Sequence, residues 1–397
     1  MTQIFRGLDG IAVTETRLSR VDGEAGELVI GGFPLNELAP RARFEETLFL
    51  LWNDRLPSPK ELDRLQRRTA DLRSLAPATL SVLRSAAAVG VEPMDALRMG
   101  VATLGLAAND LHTTELHTQP REANQARALR LVAAMPSIVA AYARLRRGLE
   151  PVDPDPALGH AENYLAMLSG DRPQPAHTRA LETYLNTAVD HGMNASTFTA
   201  RVISSTRSCM ASAVAGALGA LKGPLHGGAP GPALDMVFAV RRQASESGRP
   251  LAEVAEAWVR DALARGQRMM GFGHRVYRVR DPRADVLGSA AEQLYTQSGN
   301  PLYADARVVE QVVLRVLAEL KPGRALATNV EFYTALLLHG LELPTPLFTP
   351  TFAIARVGGW TAHVLEQIDE DRLIRPRVAY AGALDRHWQA LESRPAA

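Results

Sequence analysis

Met270-Gly271-Phe272-Gly273-His274-Arg275-Val276-Tyr277, running on to Asp281-Pro282-Arg283, is the stretch around which the chain is organised. Gly271 and Gly273 lack a Cβ, reach positive φ easily and leave backbone N–H groups open to a ligand. His274 follows directly. Asp281 suits an N-cap and Pro282 a first helical position, which predicts a helix over 283–298 with Arg283 in its first turn. Open N–H groups, the positive end of a helix dipole and a forked guanidinium together favour an anion. A plain glycine turn before a capped helix, with a solvated arginine and a surface histidine, fits the same residues. The surroundings decide between the two.

Outward from this stretch the pattern is helical almost everywhere. Downstream, helices are predicted at 304–320 and from Asn329-Val330-Glu331-Phe332-Tyr333 to His339. An acid at a helix start is commonly just dipole-friendly, and Glu331 fits that account as well as a chemical one. A last long helix is predicted to begin at Thr349-Pro350, a cap followed by a first-position proline. Phe352, Arg356, Gly359 and His363 then share one face. An arginine on an otherwise apolar face needs an anion, either a structural ion pair or a bound carboxylate. Arg375-Pro376-Arg377 adds basic groups on a stiff segment.

Upstream, helices are predicted at 231–245 and 250–265, and earlier at 60–72, 77–89, 94–107, 122–147, 158–169 and 175–190. Phe44, Thr47, Leu48, Leu51 and Trp52 fall at helical spacing before Pro57. Residues 9–34 carry the only β character, with Glu27-Leu28-Val29-Ile30 before Gly31-Gly32, and predict a small hairpin or two. His191-Gly192-Met193-Asn194-Ala195-Ser196-Thr197 is a turn entering a helix capped by Asn194. Small residues from Ser204 to Ala220 make that helix thin, which places it at a tight helix–helix contact, within the chain or between subunits. It runs into Lys222-Gly223-Pro224-Leu225-His226-Gly227-Gly228, a sharp loop presenting one imidazole.

Bulk composition excludes several classes. Lys plus Arg number 44 against 43 acids, a net charge of +1, and aromatics make up 6%, so neither nucleic acid nor a membrane surface is an expected partner. The lone Cys209 excludes an intrachain disulfide and a multi-cysteine zinc site, as in a reducing cytosol. No secretory signal is read and no apolar run is expected to reach the length of a membrane helix, so a cytoplasmic protein is expected. The unusual positions are three loop histidines (His191, His226, His274), three arginines (Arg283, Arg356, Arg375) and Glu331. No phosphate loop, nucleophile elbow or metal-ligand motif accompanies them. Three arginines suit a di- or tricarboxylate. Histidines with one carboxylate suit proton abstraction beside a carbonyl.

With these residues collected, the chain resembles the citrate synthase family, including 2-methylcitrate synthases. The matching blocks are Val21-Asp22-Gly23, the Phe44–Trp52 helix, His191–Thr197, Gly223–Gly228, Met270–Tyr277, Asp281-Pro282-Arg283, Asn329-Val330-Glu331 and Ile374-Arg375-Pro376-Arg377. They occur in the family's order over almost the whole chain. The resemblance implies an all-α, multi-helical, two-domain homodimer with a minor N-terminal hairpin. The large domain would comprise residues 1–226 and 336–397, and the small one 227–335. It implies that acetyl-CoA condenses with oxaloacetate and water to give citrate and CoA, with no bound cofactor and no metal. Propionyl-CoA is the alternative thioester, and a non-catalytic CoA- or carboxylate-binding paralogue the alternative of another class.

Residue by residue, the resemblance makes Glu331 the base, His226 the donor to the thioester oxygen and His274 the group polarising the ketone. His191, Asn194, Arg283 and Arg356 would hold oxaloacetate, with Arg375 supplied by the partner subunit. Arg268, Met269, Met270, Gly271, Phe272 and Gly273 would line the CoA adenine region, and Arg278 would meet a CoA phosphate. Two positions depart from the family pattern: Glu331 replaces the usual aspartate, and Ala229-Pro230-Gly231 replaces an Asn-Glu pair.

Overall fold

Runs of Ala, Leu and Arg make most of this chain a strong helix former, and 63% of it is helical. The computed structural model describes residues 4–8, 10–106, 109–227, 230–324 and 326–394. Gly228 and Ala229, from two of the stretches singled out above, lie outside these. The β region forms one three-stranded antiparallel sheet, β1 (Ser19–Asp22), β2 (Glu27–Ile30) and β3 (Phe33–Pro34), in that order. Ser19 pairs with Ile30 and Asp22 with Glu27, and the turn between them reaches the loop after His274, where Arg278 N donates to Gly23 O at 2.9 Å.

Two helices, α1 (Leu35–Leu38) and α2 (Phe44–Asn53), follow the sheet. Phe44, Leu48, Leu51 and Trp52 are buried as their spacing predicts, each worth roughly 1.5–3 kcal/mol of apolar burial. Prolines open α3 (Pro59–Asp71), α4 (Pro77–Ala88) and α5 (Pro93–Thr103), supplying helical φ where their missing N–H would be unbonded anyway. Then comes α6 (Arg121–Leu145). It corrects the expectation that no apolar run is long enough to cross a membrane: by length and composition it is, but 78% of that window is buried inside the chain, as in a core helix.

After α7 (His160–Ser169) and α8 (Pro175–Ala188), the small-residue region forms two helices rather than one, α9 (Ala195–Ser205) and α10 (Met210–Leu221). Arg207 turns left-handed at φ 62° and Cys209 is extended, so the hydrogen-bond ladder stops and restarts. A close contact lies within the chain. A Cβ on Gly216 would sit 2.2 Å from Ile203 Cδ1, so a larger residue would have to push the end of that side chain aside for α10 to keep this approach to α9.

The helices α11 (Pro230–Ser247), α12 (Leu251–Ala264), α13 (Pro282–Ser298), α14 (Leu302–Leu320) and α15 (Val330–Gly340) pack largely on one another. The long α16 (Phe348–Glu370) packs against α2, α5, α6, α8, α9 and α10. Both groups meet on α8, which touches α13 and α15 on one side and α16 on the other. The start of α16 differs from the prediction. A 3-10 turn, Thr345–Leu347, leads into Phe348, so Thr349 and Pro350 lie inside the first turn, where a missing N–H breaks no bond. Thr349 does not cap the helix. Its hydroxyl donates to Gly227 O at 2.8 Å, tethering the His226 loop.

One glycine of α16 sets the site. A Cβ on Gly359 would lie 2.2 Å from Val189 O and 2.8 Å from Asp190 Oδ1. Its absence lets the end of α8 press onto α16, and Arg356 Nε donates to Ala188 O at 2.6 Å.

Candidate active site

The Gly271–Tyr277 turn forms with φ 87° at Gly271 and 81° at Gly273. It is zipped to the segment before α15. Gly273 N donates to Ala327 O at 2.7 Å, Asn329 N to Gly271 O at 2.9 Å, and Asn329 Nδ2 to Gly273 O at 2.7 Å. Asn329 Oδ1 also accepts Glu331 N at 3.0 Å, capping α15. One asparagine therefore fixes the His274 turn relative to Glu331.

Asp281 makes a second tie. Its carboxylate caps α13 by accepting Arg283 N at 3.0 Å and reaches α15 by accepting Val330 N at 3.1 Å. It also accepts Arg283 Nε at 3.0 Å and Nη2 at 2.8 Å. Arg283 is thus not the free fork its position suggests, and part of its donor set belongs to Asp281. Burial disfavours the Asp281 charge, yet Arg283 overrides it and holds the carboxyl below the usual range.

His274 Nδ1 accepts from Val276 N at 3.0 Å and Tyr277 N at 3.1 Å, and these two shorter bonds outweigh the single 3.3 Å approach of Arg283 Nη2 to Nε2 and assign the proton of the neutral ring to Nε2. Burial, then the Arg283 charge, push its pKa down to about 4. His191 stands edge-on to it, ring centroids 5.7 Å apart at 79°, with Nε2 3.1 Å from Tyr277 Oη. It is held well below its ordinary pKa by burial first and then by Arg283 and Arg356.

Asn194 caps α9 as predicted, its Oδ1 accepting Thr197 N at 3.1 Å. The same oxygen accepts Ser196 Oγ at 2.8 Å and Nδ2 donates to Gly192 O at 3.3 Å, so Asn194 is engaged in building the turn. Ser196, not singled out by sequence, meets His226 twice: Oγ is 2.8 Å from Nε2 and its backbone N–H donates to Nε2 at 3.4 Å. An amide only donates, so this contact makes Nε2 the lone-pair nitrogen and places the His226 proton on Nδ1, with the one Ser196 hydroxyl proton shared between Nε2 and Asn194 Oδ1. Trp360 Nε1 donates to the same Ser196 Oγ at 3.1 Å. Burial and then Arg356 push His226 down to about 4.

Arg356 is 1% exposed, lies 4.6 Å over the Phe352 ring and forms no ion pair among the described residues. Burial and the nearby Arg283 lower its pKa to about 10, so it remains a cation at neutral pH. A buried guanidinium without a carboxylate has unmet demand for one. Its charge bears on His191, His226 and Glu331 alike, which brings these groups to one place. The Glu331 carboxylate makes no hydrogen bond among the described residues, and burial pushes it up to about 7, with Arg283 and Arg356 opposing and Asp281 reinforcing the rise.

Behind the site lies a network sequence reasoning did not find. His363, on the predicted face of α16, has Nε2 3.1 Å from Asp190 Oδ1 and Nδ1 3.3 Å from Arg201 Nη1. Asp190 also accepts Ser19 Oγ at 2.5 Å, and that hydroxyl accepts Gly192 N at 2.9 Å, so the residues flanking His191 are both pinned. Adjacency to His191 was the only signal for Asp190, and none marked Ser19.

His191, His226, His274, Arg283, Glu331 and Arg356 therefore converge. Arg375 does not join them: it is exposed on the segment after α16. Of the 268–273 stretch, Met269 and Phe272 bury their side chains in the core and leave only backbone to a ligand, while Arg268 and Arg278 are exposed. Three neutral imidazoles, one carboxyl poised near 7 and one unpaired cation suit an anionic carbonyl compound, proton removal from carbon and charge development on oxygen.

Known proteins match this arrangement along the whole chain. A family model described as citrate synthase, C-terminal domain, matches residues 7–377. The citrate synthase of Haloferax volcanii is 42% identical over 392 residues, covering 99% of each chain. The 2-methylcitrate synthase of Mycobacterium tuberculosis is 39% identical, covering 96% of this chain and 91% of that protein. The structure of Thermoplasma acidophilum citrate synthase, a ternary complex with carboxymethyl coenzyme A and oxaloacetate, superposes with a TM-score of 0.87 at 26% identity, covering 99% of this chain and 100% of that one. A full-length match in sequence and in fold, joined to the convergence of the predicted histidines, arginines and carboxylate, establishes that this chain belongs to the citrate synthase family.

Proposed function

We propose that this protein condenses acetyl-CoA with oxaloacetate and water, giving citrate and CoA. The carrying observation is Arg356, a buried cation without an ion-pair partner beside three neutral imidazoles and the raised carboxyl of Glu331. In this reading Arg356, the remaining N–H groups of Arg283 and His191 hold oxaloacetate. Glu331 removes a proton from the thioester methyl group, and burial, by raising its pKa, makes it a stronger base for that weak carbon acid. His226 donates Nδ1–H to the thioester oxygen as enolate character develops. The carbon nucleophile attacks the ketone, whose oxygen His274 polarises through Nε2–H. Both imidazoles are neutral near pH 7, so they donate without starting as acids of the wrong charge. Water then cleaves the citryl thioester, releasing CoA.

The exposed Arg268 and Arg278 fit a role in holding CoA. A two-domain division, 227–335 against the remainder, with a cleft that closes to exclude water, is supported by the way α11–α15 pack on one another. A homodimer in which Arg375 reaches the partner's site is supported by the C-terminal segment, where Val378 (92%), Leu384 (89%) and Trp388 (84%) are exposed, as residues awaiting a second copy would be.

Thiol release by the purified protein tests the function. Release from acetyl-CoA only when oxaloacetate is present supports it. A clear preference for propionyl-CoA would make it a 2-methylcitrate synthase, as its M. tuberculosis relative is named, and no release from either thioester would make it a binding paralogue.

A further inference from the structure

The small group of helices contains a buried carboxylate that the reaction above does not use. Glu310, on α14, is 1% exposed and lies beneath both reacting segments. Its Oε1 accepts Arg280 Nη1 and Thr328 Oγ1, each at 2.7 Å. Its Oε2 accepts Tyr333 Oη at 2.6 Å and Arg307 Nη1 at 2.7 Å, and Arg307 Nη1 also donates to Tyr333 Oη at 2.7 Å. The two oxygens divide the site between them. Arg280 directly precedes Asp281, and Thr328 O accepts Asp281 N at 3.2 Å, so Oε1 holds the segment that carries His274, Asp281 and Arg283. Tyr333 lies two residues beyond Glu331 in α15, so Oε2 holds the helix that carries the base.

We propose that Glu310 is a positioning residue that sets the separation of His274 and Glu331 by clamping their two segments to one carboxylate. It touches neither substrate. The inference rests on the condensation proposed above and adds a residue to it. Two charged and two hydroxyl donors converge on both oxygens, and no neutral side chain of this shape accepts all four. In Glu310→Gln one oxygen becomes an amide N–H₂ that faces donors on whichever side it is placed, so one segment is released. Reacting groups displaced by near 1 Å lose up to about 100-fold in rate.

The experiment is steady-state thiol release by the full-length protein and its Glu310→Gln, Thr328→Val and Tyr333→Phe variants. The better of the two thioesters is used at saturating oxaloacetate, and oxaloacetate affinity is measured separately by calorimetry. Glu310→Gln is expected to lower kcat by about 10- to 100-fold while oxaloacetate affinity stays within about threefold. Thr328→Val and Tyr333→Phe should each lower kcat by less, and neither should add fully to Glu310→Gln, because each cuts a bond the first change already disturbs. The proposal is overturned by a kcat within twofold of wild type, by additive losses, or by affinity and kcat falling together, the mark of general structural damage. If Glu310→Gln does not fold, the two hydroxyl deletions decide alone: lowered kcat at unchanged affinity in both supports the clamp, and wild-type kcat in either overturns it. A wild type that releases no thiol rejects the underlying function, and this inference with it.

Discussion

Glu331→Gln should stabilise the protein while disabling it, and the gain should depend on pH. Burial raises the Glu331 carboxyl from its ordinary 4.5 to about 7 in the folded chain. A folded-state pKa above the unfolded one means that the protonated acid is the form the fold accommodates. Its contribution is fully present below pH 4.5 and is lost as pH rises through 7. Glutamine resembles the protonated acid and does not titrate. The variant should therefore match wild type near pH 4 and gain on it from about pH 5 upward. A rise to about 7 corresponds to roughly 3 kcal/mol at pH 8, and the partial exposure of Glu331 trims that to about 2–3 kcal/mol. Urea unfolding of both proteins at pH 4, 6 and 8, at one protein concentration, measures the difference. A difference that stays flat with pH, or that favours wild type at pH 8, would refute the argument that burial holds this carboxyl high.

The same group predicts the rate profile: kcat/KM should rise about tenfold between pH 6 and pH 8 along one acid limb centred near 7, since the base acts ionised and the imidazoles, at about 4, are already neutral. A stopped pH series reads it, and a limb near 4 would point to a histidine instead. Arg356→Met should raise KM for oxaloacetate by about 10- to 100-fold, the value of one charged hydrogen-bonding group, without lowering thermal stability, since an unpaired buried cation is removed. Unchanged KM would remove Arg356 from the binding site. Thr349→Val keeps the shape but frees Gly227 O, at a cost of about 1 kcal/mol. It should lower kcat severalfold at constant oxaloacetate affinity by loosening the His226 loop, whereas wild-type kcat would make that tether irrelevant.

Local signals were readable where one segment carries its own instructions. Asn194 and Asp281 cap their helices as read from sequence, Asn329 caps a third helix at the stretch predicted to open it, and glycines mark the Gly271–Gly273 turn because that backbone requires positive φ. The convergence of His191, His226, His274 and Glu331 came from motif order and not from periodicity, since nothing local says which loops meet. What escaped was tertiary. The break at Arg207 has no glycine or proline to announce it, and α10 restarts without one. Thr349 looked like a cap because threonine before proline usually is one, yet the 3-10 turn ahead of it moved the helix start and turned its hydroxyl to another loop. Asp281 was legible as a cap but not as the partner that occupies Arg283. Glu310 carries no sequence signature and Asp190 only its place beside His191, because their donors come from segments far away along the chain.

The departure from aspartate to glutamate at position 331 leaves the charge in place on an arm longer by about one carbon–carbon bond. The carboxylate is free of hydrogen bonds among the described residues, so it keeps the freedom to reach a substrate from that longer arm. Turnover of Glu331→Gln, followed as thiol release from acetyl-CoA with saturating oxaloacetate, tests the base assignment most directly. A loss of about 100- to 10,000-fold in kcat with oxaloacetate affinity retained is the predicted result. Turnover near that of wild type would contradict it.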